Sequence, residues 1–482
     1  MSTNAVLEQE IKTYTTKQNA ATKLVAMVSN LWYNHAVELV LFRNQLVDRR
    51  VSHILNVHSI SQELTGQSIS VFDSVKIVKV LMELHLCPAR IDIGKLILRL
   101  REKSVEDTDI VHFLIGELQL AKPHNSFVPR DVVLYGFGRI GRLLARELIA
   151  KAGAGKQLRL RAIVTRDNID VKTLEKRAAL LRNDSIHGRF DGQVEVDVSR
   201  NALIVNGITV HVISAQEPEH IDYYAYGIQD ALLIDNTGAF RDEKQLSRHL
   251  ISGGIAQVLL TAPGKGIPNV VFGINEQSVT MDLHRIVSAA SCTTNAIAPI
   301  LQLIESELKI VKGHVETIHS YTNDQNLVDN MHRKARRGRA AAVNMVITET
   351  GAGTAVAKAI PSLAGKLTSN AIRVPVPNGS LAILNLEIVN KTSIEQLKSL
   401  LQNAALHGNL VEQINYSNND ELVSSDCIGT TFSSIVDAPA TIVSSDGKNI
   451  VLYIWYDNEY GYTHQVMRLA RHIAGVRRYT YY

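Results

Sequence analysis

Residues Asp131–Ile149 read "DVVLYGFGRIGRLLARELI", a short apolar run, a glycine loop and an amphipathic helical segment. Gly136, Gly138 and Gly141 stand in the spacing G-x-G-x-x-G between strand and helix. Such a loop lets backbone amides at a helix N-terminus approach a pyrophosphate with no side chain in the way. The spacing alone is a weak signal; a strand before it and a helix after it make it strong. Working outward, "LRLRAIVTR" reads as the next strand, and "HVISA", "ALLIDNTG", "QVLLTAPG" and "RIVSAAS" follow as further short strands among helical segments. That alternation predicts an α/β fold with a Rossmann-type, doubly wound parallel sheet.

Beyond Ser291 the pattern changes. A helical segment comes first, then the longer β-rich runs "HVETIHSYT", "AIRVPVPNGSLAILNLEIVN" and "NIVLYIWYDNEYG", which predict an α+β domain with a mixed or antiparallel sheet. Before the glycine loop, Val37, Val40, Leu41, Val47 and Val51 recur at spacings expected of one helix face. "SVFDSVKIVKVLMELHL" reads as a helix closed by Pro88, and "DIGKLILRLREK" and "DTDIVHFLIGELQL" as two more, each opened by an aspartate N-cap. "AKPHNSFVPRD" has the prolines and polar residues of a linker. The expected organisation is a helical N-terminal extension over residues 1–127, a dinucleotide-binding domain over 128–290 completed by a C-terminal helix over 462–476, and a catalytic domain over 291–461.

The 482 residues carry a formal net charge of only +4 with both signs mixed, which argues against a nucleic-acid partner. No apolar run reaches the roughly 20 residues that span a bilayer, and the first residues lack the pattern of a signal peptide, so no membrane partner and a cytoplasmic location are expected. Cys87, Cys292 and Cys427 are odd in number, far apart and outside any C-x-x-C pattern. They support neither a disulfide framework nor a metal site.

One of the three cysteines has an unusual setting. In "SAASCTTNAIAPIL", Cys292 follows Ser291 where an apolar helix begins, with Thr293, Thr294 and Asn295 after it. A helix N-terminus carries about half a positive charge and unsatisfied amides, so a thiol there is expected to have a depressed pKa. A lone cysteine is more often a small buried hydrophobe, which suits Cys87 and Cys427 better. A nucleophilic thiolate needs a base, and His319 lies late in a predicted strand in "VETIHSYTNDQ". Spacing alone leaves that pairing open, because most of the 17 histidines must be structural.

A resemblance goes further. "YGFGRIGR", "SAASCTTNAIAPIL", "HSYTNDQ", "TGAG", "GKLTSNAIRVPVPNGS" and "WYDNEYGY" occur in the order and approximate spacing of phosphorylating glyceraldehyde-3-phosphate dehydrogenase, over about residues 130–475. The chain resembles that family, and the N-terminal extension resembles one carried by a longer bacterial subgroup. The resemblance implies Cys292 as nucleophile and His319 as base. It implies Thr322 and Arg373 for the substrate's phosphate, and Ser291, Thr293, Thr350 and Gly351 for the attacking inorganic phosphate. On the dinucleotide side it implies Arg139, Ile140, Thr237, Gly238, Thr261 and Asn458 beside the three glycines. It further implies a homotetramer in which the basic run "RKARRGRAA" packs near the cofactor. One departure is Glu349 in "VITETGAG", where the family has serine; a carboxylate close to two phosphates would repel them unless it points away.

The cofactor expected is NAD(P), with NADP favoured. In the NAD-type fingerprint an acidic residue after the second strand binds the adenosine ribose. Here that position falls on Arg166, whose guanidinium can pair with a 2′-phosphate. A slip of one residue would instead put Asp167 on the ribose and favour NAD. Two other functions fit the same residues: a dehydrogenase of a neighbouring sugar phosphate such as erythrose 4-phosphate, separable by kcat/KM for the two aldehydes, and a regulatory scaffold with a vestigial core, which would show no turnover.

Overall fold

The computed structural model describes residues 3–118, 128–280 and 283–482. The linker expected at 121–131 lies mostly outside them. The chain forms two compact units. One takes the residues up to Pro129 together with Lys151–Gln157 and Val476–Tyr482; the other takes Arg130–Ala150 and Leu158–Gly475.

The first unit is helical as expected, with helices at Thr3–His35, Val51–Ser59, Val71–Glu83, Ile93–Glu102 and Ile110–Glu117. Asp92 caps its helix by accepting from the amides of Gly94 and Lys95; Asp109 makes no side-chain cap. The unit also holds a sheet that the helical periodicity did not indicate. Val37–Leu41, expected on a helix face, is a strand buried along its whole length. It pairs in parallel with Ala89–Asp92, which pairs in parallel on its other edge with the C-terminal strand Tyr479–Tyr481. A continuous β-branched and leucine run buried on both faces has no period to betray it. Glu38 lies inside that strand at 1% exposure. Lys151 donates to it at 2.5 Å, Arg478 pairs with it, and Arg90 is 3.6 Å away. Burial pushes the Glu38 carboxyl up, but the three cations outweigh it and hold it well below the usual carboxylate range.

In the second unit one eight-stranded sheet has Arg130–Tyr135 near its centre. Leu158–Thr165 lies on one side of it and Ala231–Asp235 on the other, both parallel to it. Ile208–Ser214 continues the first side; Ile255–Leu260 and Ile286–Ser288 continue the second. The chain therefore winds both ways from the first strand, and the crevice at the strands' C-terminal ends is where such sheets take ligands. The other large sheet is mixed. Ile310–Ser320 lies parallel to Leu367–Val374 and antiparallel to Ser380–Ile388, which pairs antiparallel with Asn449–Tyr456. Helix Cys292–Glu307 buries Ala296, Ile297, Ile300, Leu301 and Ile304 in the same core as Leu384, Leu386 and Ile454 of that sheet. The final helix is Tyr460–Ile473.

Candidate active site

The glycine loop has the geometry its sequence implied. Gly136 has φ +97°, which a residue with a side chain rarely adopts, and a Cβ there would sit 2.9 Å from the Thr237 methyl. A Cβ on Gly141 would come within 2.4 Å of the Gly136 carbonyl oxygen, so that position packs helix against strand. A Cβ on Gly138 would meet nothing within 4 Å: the space over this loop is open. Helix Arg139–Ala150 starts there, with its first amides facing that space. These features fit a dinucleotide pyrophosphate. Around the loop, Thr237 donates through its amide and hydroxyl to Asp235 at 2.8 and 2.7 Å, and Gly238 turns the chain at φ +65°. The Thr261 hydroxyl donates to the Asp235 carbonyl at 3.0 Å.

A cavity of about 600 Å³ opens beside the loop, within the range of small-molecule sites. Nine of the residues singled out in the sequence line it: Arg139, Ile140, Thr261, Ser291, Cys292, His319, Thr322, Arg373 and Asn458. Cys292 Sγ lies 3.6 Å from His319 Nε2. Two elements bring them together. Ser291 caps the helix that begins at Cys292, its hydroxyl accepting from the Thr294 amide at 3.0 Å. Ala290, immediately before, is held at φ +55°, a strained conformation for alanine that turns the chain sharply into the helix. His319 stands directly opposite Arg373 in the parallel register of their strands, so register alone puts the imidazole and the guanidinium side by side.

Electrostatics partly reverse the expectation for the thiol. Burial pushes Cys292 up rather than down; Arg373, the Thr293 hydroxyl and the amides of Thr293 and Cys292 oppose it without prevailing. Burial, and then the neighbouring Arg373 cation, pull His319 down to about 3. The resting pair is therefore neutral thiol and neutral imidazole. His319 Nδ1 lies 2.7 Å from the Ser320 carbonyl and 2.5 Å from Arg373 Nη1, which also donates to that carbonyl at 2.7 Å. A guanidinium cannot accept, so the two Nδ1 contacts call for opposite tautomers. With Nδ1–H donating to Ser320, the Nε2 lone pair faces the sulfur.

Other expected residues fall elsewhere. Thr293 turns inward, its hydroxyl 3.0 Å from that of Tyr456. Thr350 lines a second cavity, also of about 600 Å³, with Lys334, Arg337 and Ser369; Gly351 caps the helix Ala352–Ala359 behind it. Glu349 lines the same cavity as Thr350; its side chain is 93% exposed and lies 3.6 Å from Lys334, which offsets its charge. Arg166 is exposed just past strand Leu158–Thr165, and Asp167 beside it pairs with Arg177. Asn458 is fixed by two donors, Ser320 and Ser380, whose hydroxyls reach its carboxamide oxygen at 2.9 and 2.8 Å.

Sequence reasoning missed Ser185, Arg241, Tyr321, Glu459 and Tyr462, which complete the cavity wall. Glu459 holds Arg139 through a bidentate contact and takes His187 Nε2 at 3.0 Å, while Asp184 meets Arg139 at 3.2 Å. Ser185 lies in the polar cluster "NDSIHG", which no periodicity marks; Tyr321, Glu459 and Tyr462 lie inside "HSYTNDQ" and "WYDNEYGY", where they were not singled out. Among the described residues no group of three or more His, Cys, Asp or Glu side chains is placed to hold a metal.

A doubly wound sheet whose glycine loop opens onto a polar, cysteine-bearing cavity defines the class: a dinucleotide-dependent oxidoreductase. Comparison with known proteins gives the family. Residues 130–243 match the family model for the glyceraldehyde 3-phosphate dehydrogenase NAD binding domain, and residues 291–458 the model for its C-terminal domain. The chain is 46% identical over 460 residues to a glyceraldehyde-3-phosphate dehydrogenase-like protein of Pseudomonas aeruginosa (strain UCBPP-PA14), covering 94% of this chain and 98% of that one. It is 39% identical to the glyceraldehyde-3-phosphate dehydrogenase of Geobacillus stearothermophilus over 71% of this chain and 98% of the relative. With glyceraldehyde-3-phosphate dehydrogenase 2 of Trichormus variabilis (strain ATCC 29413 / PCC 7937) identity is 40%, over 71% of this chain and 98% of that one. The protein belongs to the glyceraldehyde-3-phosphate dehydrogenase family and is an NAD-dependent dehydrogenase.

Proposed function

We propose that the protein catalyses the reversible, phosphorylating oxidation of glyceraldehyde 3-phosphate to 1,3-bisphosphoglycerate through a thioester on Cys292. The observation that supports this best is the 3.6 Å approach of Cys292 Sγ to His319 Nε2 in a cavity shared with Thr322 and Arg373. Sγ adds to the aldehyde carbon while His319 Nε2 takes the thiol proton. His319 passes that proton to the former carbonyl oxygen, giving the hydroxyl of the hemithioacetal, and, neutral again, removes it as the C1 hydride departs, leaving the thioester; general-base help of this kind is worth roughly 10²–10⁴-fold. The dinucleotide, when bound, supplies the acceptor for that hydride. Its pyrophosphate would lie on the Gly138 amide and the start of helix Arg139–Ala150, with Asn458 at the opposite end. The Cys292 amide and His319 stabilise the oxyanion that forms when inorganic phosphate attacks the thioester carbon, and the carbon–sulfur bond breaks to release the acyl phosphate. Arg373 and Thr322 hold the substrate's own phosphate; of Ser291, Thr293, Thr350 and Gly351, assigned to the attacking one, Ser291 shares their cavity, Thr350 lines the second cavity, and Thr293 turns toward Tyr456.

We further read the cofactor as NAD(P) with NADP favoured, because Arg166 is exposed at the strand end while Asp167 is already paired. A homotetramer is part of the same reading. Leu327, Val328, Met331, Val343 and Met345 are all at least 70% exposed on and around the basic loop, an apolar surface that association would cover. The cytoplasm is the setting proposed, since it keeps a nucleophilic thiol reduced. The test is dinucleotide reduction with glyceraldehyde 3-phosphate: it should require inorganic phosphate and vanish in Cys292→Ser. Turnover near the parent rate in that variant overturns the assignment.

A further inference from the structure

Beside the glycine loop, the second strand ends in a turn whose charges are already arranged. Gly136 N–H donates to the Val164 carbonyl at 3.0 Å, which ties the start of the loop to the strand's last residues. The Ala215 amide donates to the Thr165 carbonyl at 2.9 Å, and the Gln216 side chain donates to the Arg166 carbonyl at 3.0 Å, so the turn is anchored from the neighbouring strand as well. Asp170 then caps helix Val171–Arg182, accepting from the Thr173 amide at 2.6 Å. Seven residues into that helix, Arg177 reaches back and pairs with the Asp167 carboxylate. Arg166 makes no ion pair among the described residues and is exposed.

We propose that Arg177 is a specificity-determining residue for the dinucleotide: by pairing with Asp167 it neutralises the carboxylate that would repel a 2′-phosphate, and it leaves Arg166, beside that carboxylate, without an ion pair among the described residues. The inference rests on the reading above, in which the dinucleotide lies along the glycine loop with its adenosine ribose toward residues 165–167. A carboxylate near the strand end normally selects the unphosphorylated ribose by hydrogen bonding its hydroxyls. Here Asp167 has its charge compensated and one oxygen, Oδ2, engaged by Arg177, so its repulsion of a phosphate and its competition for the hydroxyls are both weakened. An Asp–Arg pair exposed to this degree is worth up to about 1 kcal/mol, which sets the expected effect at roughly two- to fivefold.

The experiment measures kcat/KM for NADP and for NAD in the full-length parent, Arg177→Gln, Arg177→Lys, and Arg177→Gln combined with Asp167→Asn. The expected result is a roughly two- to fivefold fall in the NADP/NAD ratio for Arg177→Gln, with the parent ratio recovered in the double variant and kept in Arg177→Lys. A merely structural role would lower both values together and leave the ratio unmoved. A parent that turns over with both dinucleotides but whose ratio ignores Arg177→Gln, or falls as far with Asp167→Asn present, overturns this inference alone. A parent with measurable NAD turnover and none with NADP overturns it too, and a parent active with neither overturns the proposed function along with it.

Discussion

Cys292 and His319 are pushed apart by the same burial: the thiol upward, the imidazole down to about 3. The thiolate is therefore a minor form near neutrality, and it is made on demand by transfer to Nε2. Alkylation of Cys292 by iodoacetamide should climb into the alkaline range without a plateau near pH 7. Arg373→Gln removes a cation that favours the thiolate, so the alkylation midpoint should move to still higher pH; a move to lower pH would contradict the electrostatic account. His319 also makes a prediction about stability. Its folded pKa lies below the unfolded value of about 6.5, so between those limits the unfolded chain binds a proton that the native state refuses. Stability should fall as pH drops from about 6.5 toward 3, and His319→Asn should flatten that slope in urea midpoints measured across the window. The helix start singled out Cys292 in the sequence, whereas His319 was one of 17 histidines until the family resemblance picked it out. It did not disclose Glu459, which meets Arg139 across 320 positions of chain, or the fact that burial at Cys292 outweighs the helix terminus.

At the scale of elements, the site depends on one cap and one register. Ser291→Ala should remove the only side-chain cap of helix Cys292–Glu307 and cost about 1 kcal/mol, read as a lower denaturant midpoint at unchanged m-value. In the first unit the strand Val37–Leu41 carries a fully buried carboxylate held by three cations. Glu38→Gln leaves Arg478 and Lys151 buried without their counter-charge, and a loss of roughly 3–5 kcal/mol is expected in thermal or urea unfolding of that unit. A change below 1 kcal/mol would mean the cations find other partners. Strands with turn residues on both sides, such as Leu158–Thr165 between "GAGKQ" and "RDN", were legible from pattern. Val37–Leu41 was not, because a short run buried on both faces has the composition of a buried helix turn, and its pairing with Ala89–Asp92 is a fact of tertiary structure.

For the whole molecule, every residue assigned to chemistry lies in the second unit, so the extension is expected to be dispensable for the chemistry. The structure refines that expectation. Residues 1–129 share their unit with Lys151–Gln157 and with the C-terminal strand, whose aromatic sequence "YTYY" gives no hint that its partner lies near residue 90. Deleting Val476–Tyr482 should loosen the first unit, seen as faster proteolysis between residues 3 and 118, while removal of residues 1–128 should leave turnover but lower solubility. The central claim, a covalent acyl group on Cys292, has a direct measurement. Enzyme mixed with glyceraldehyde 3-phosphate and dinucleotide, with inorganic phosphate withheld, is followed by absorbance and by intact mass. The account predicts a burst of about one reduced dinucleotide per Cys292, an acyl adduct on that residue, and discharge of the adduct when phosphate is added. Continuous turnover without phosphate, or a burst with no mass on Cys292, would contradict it.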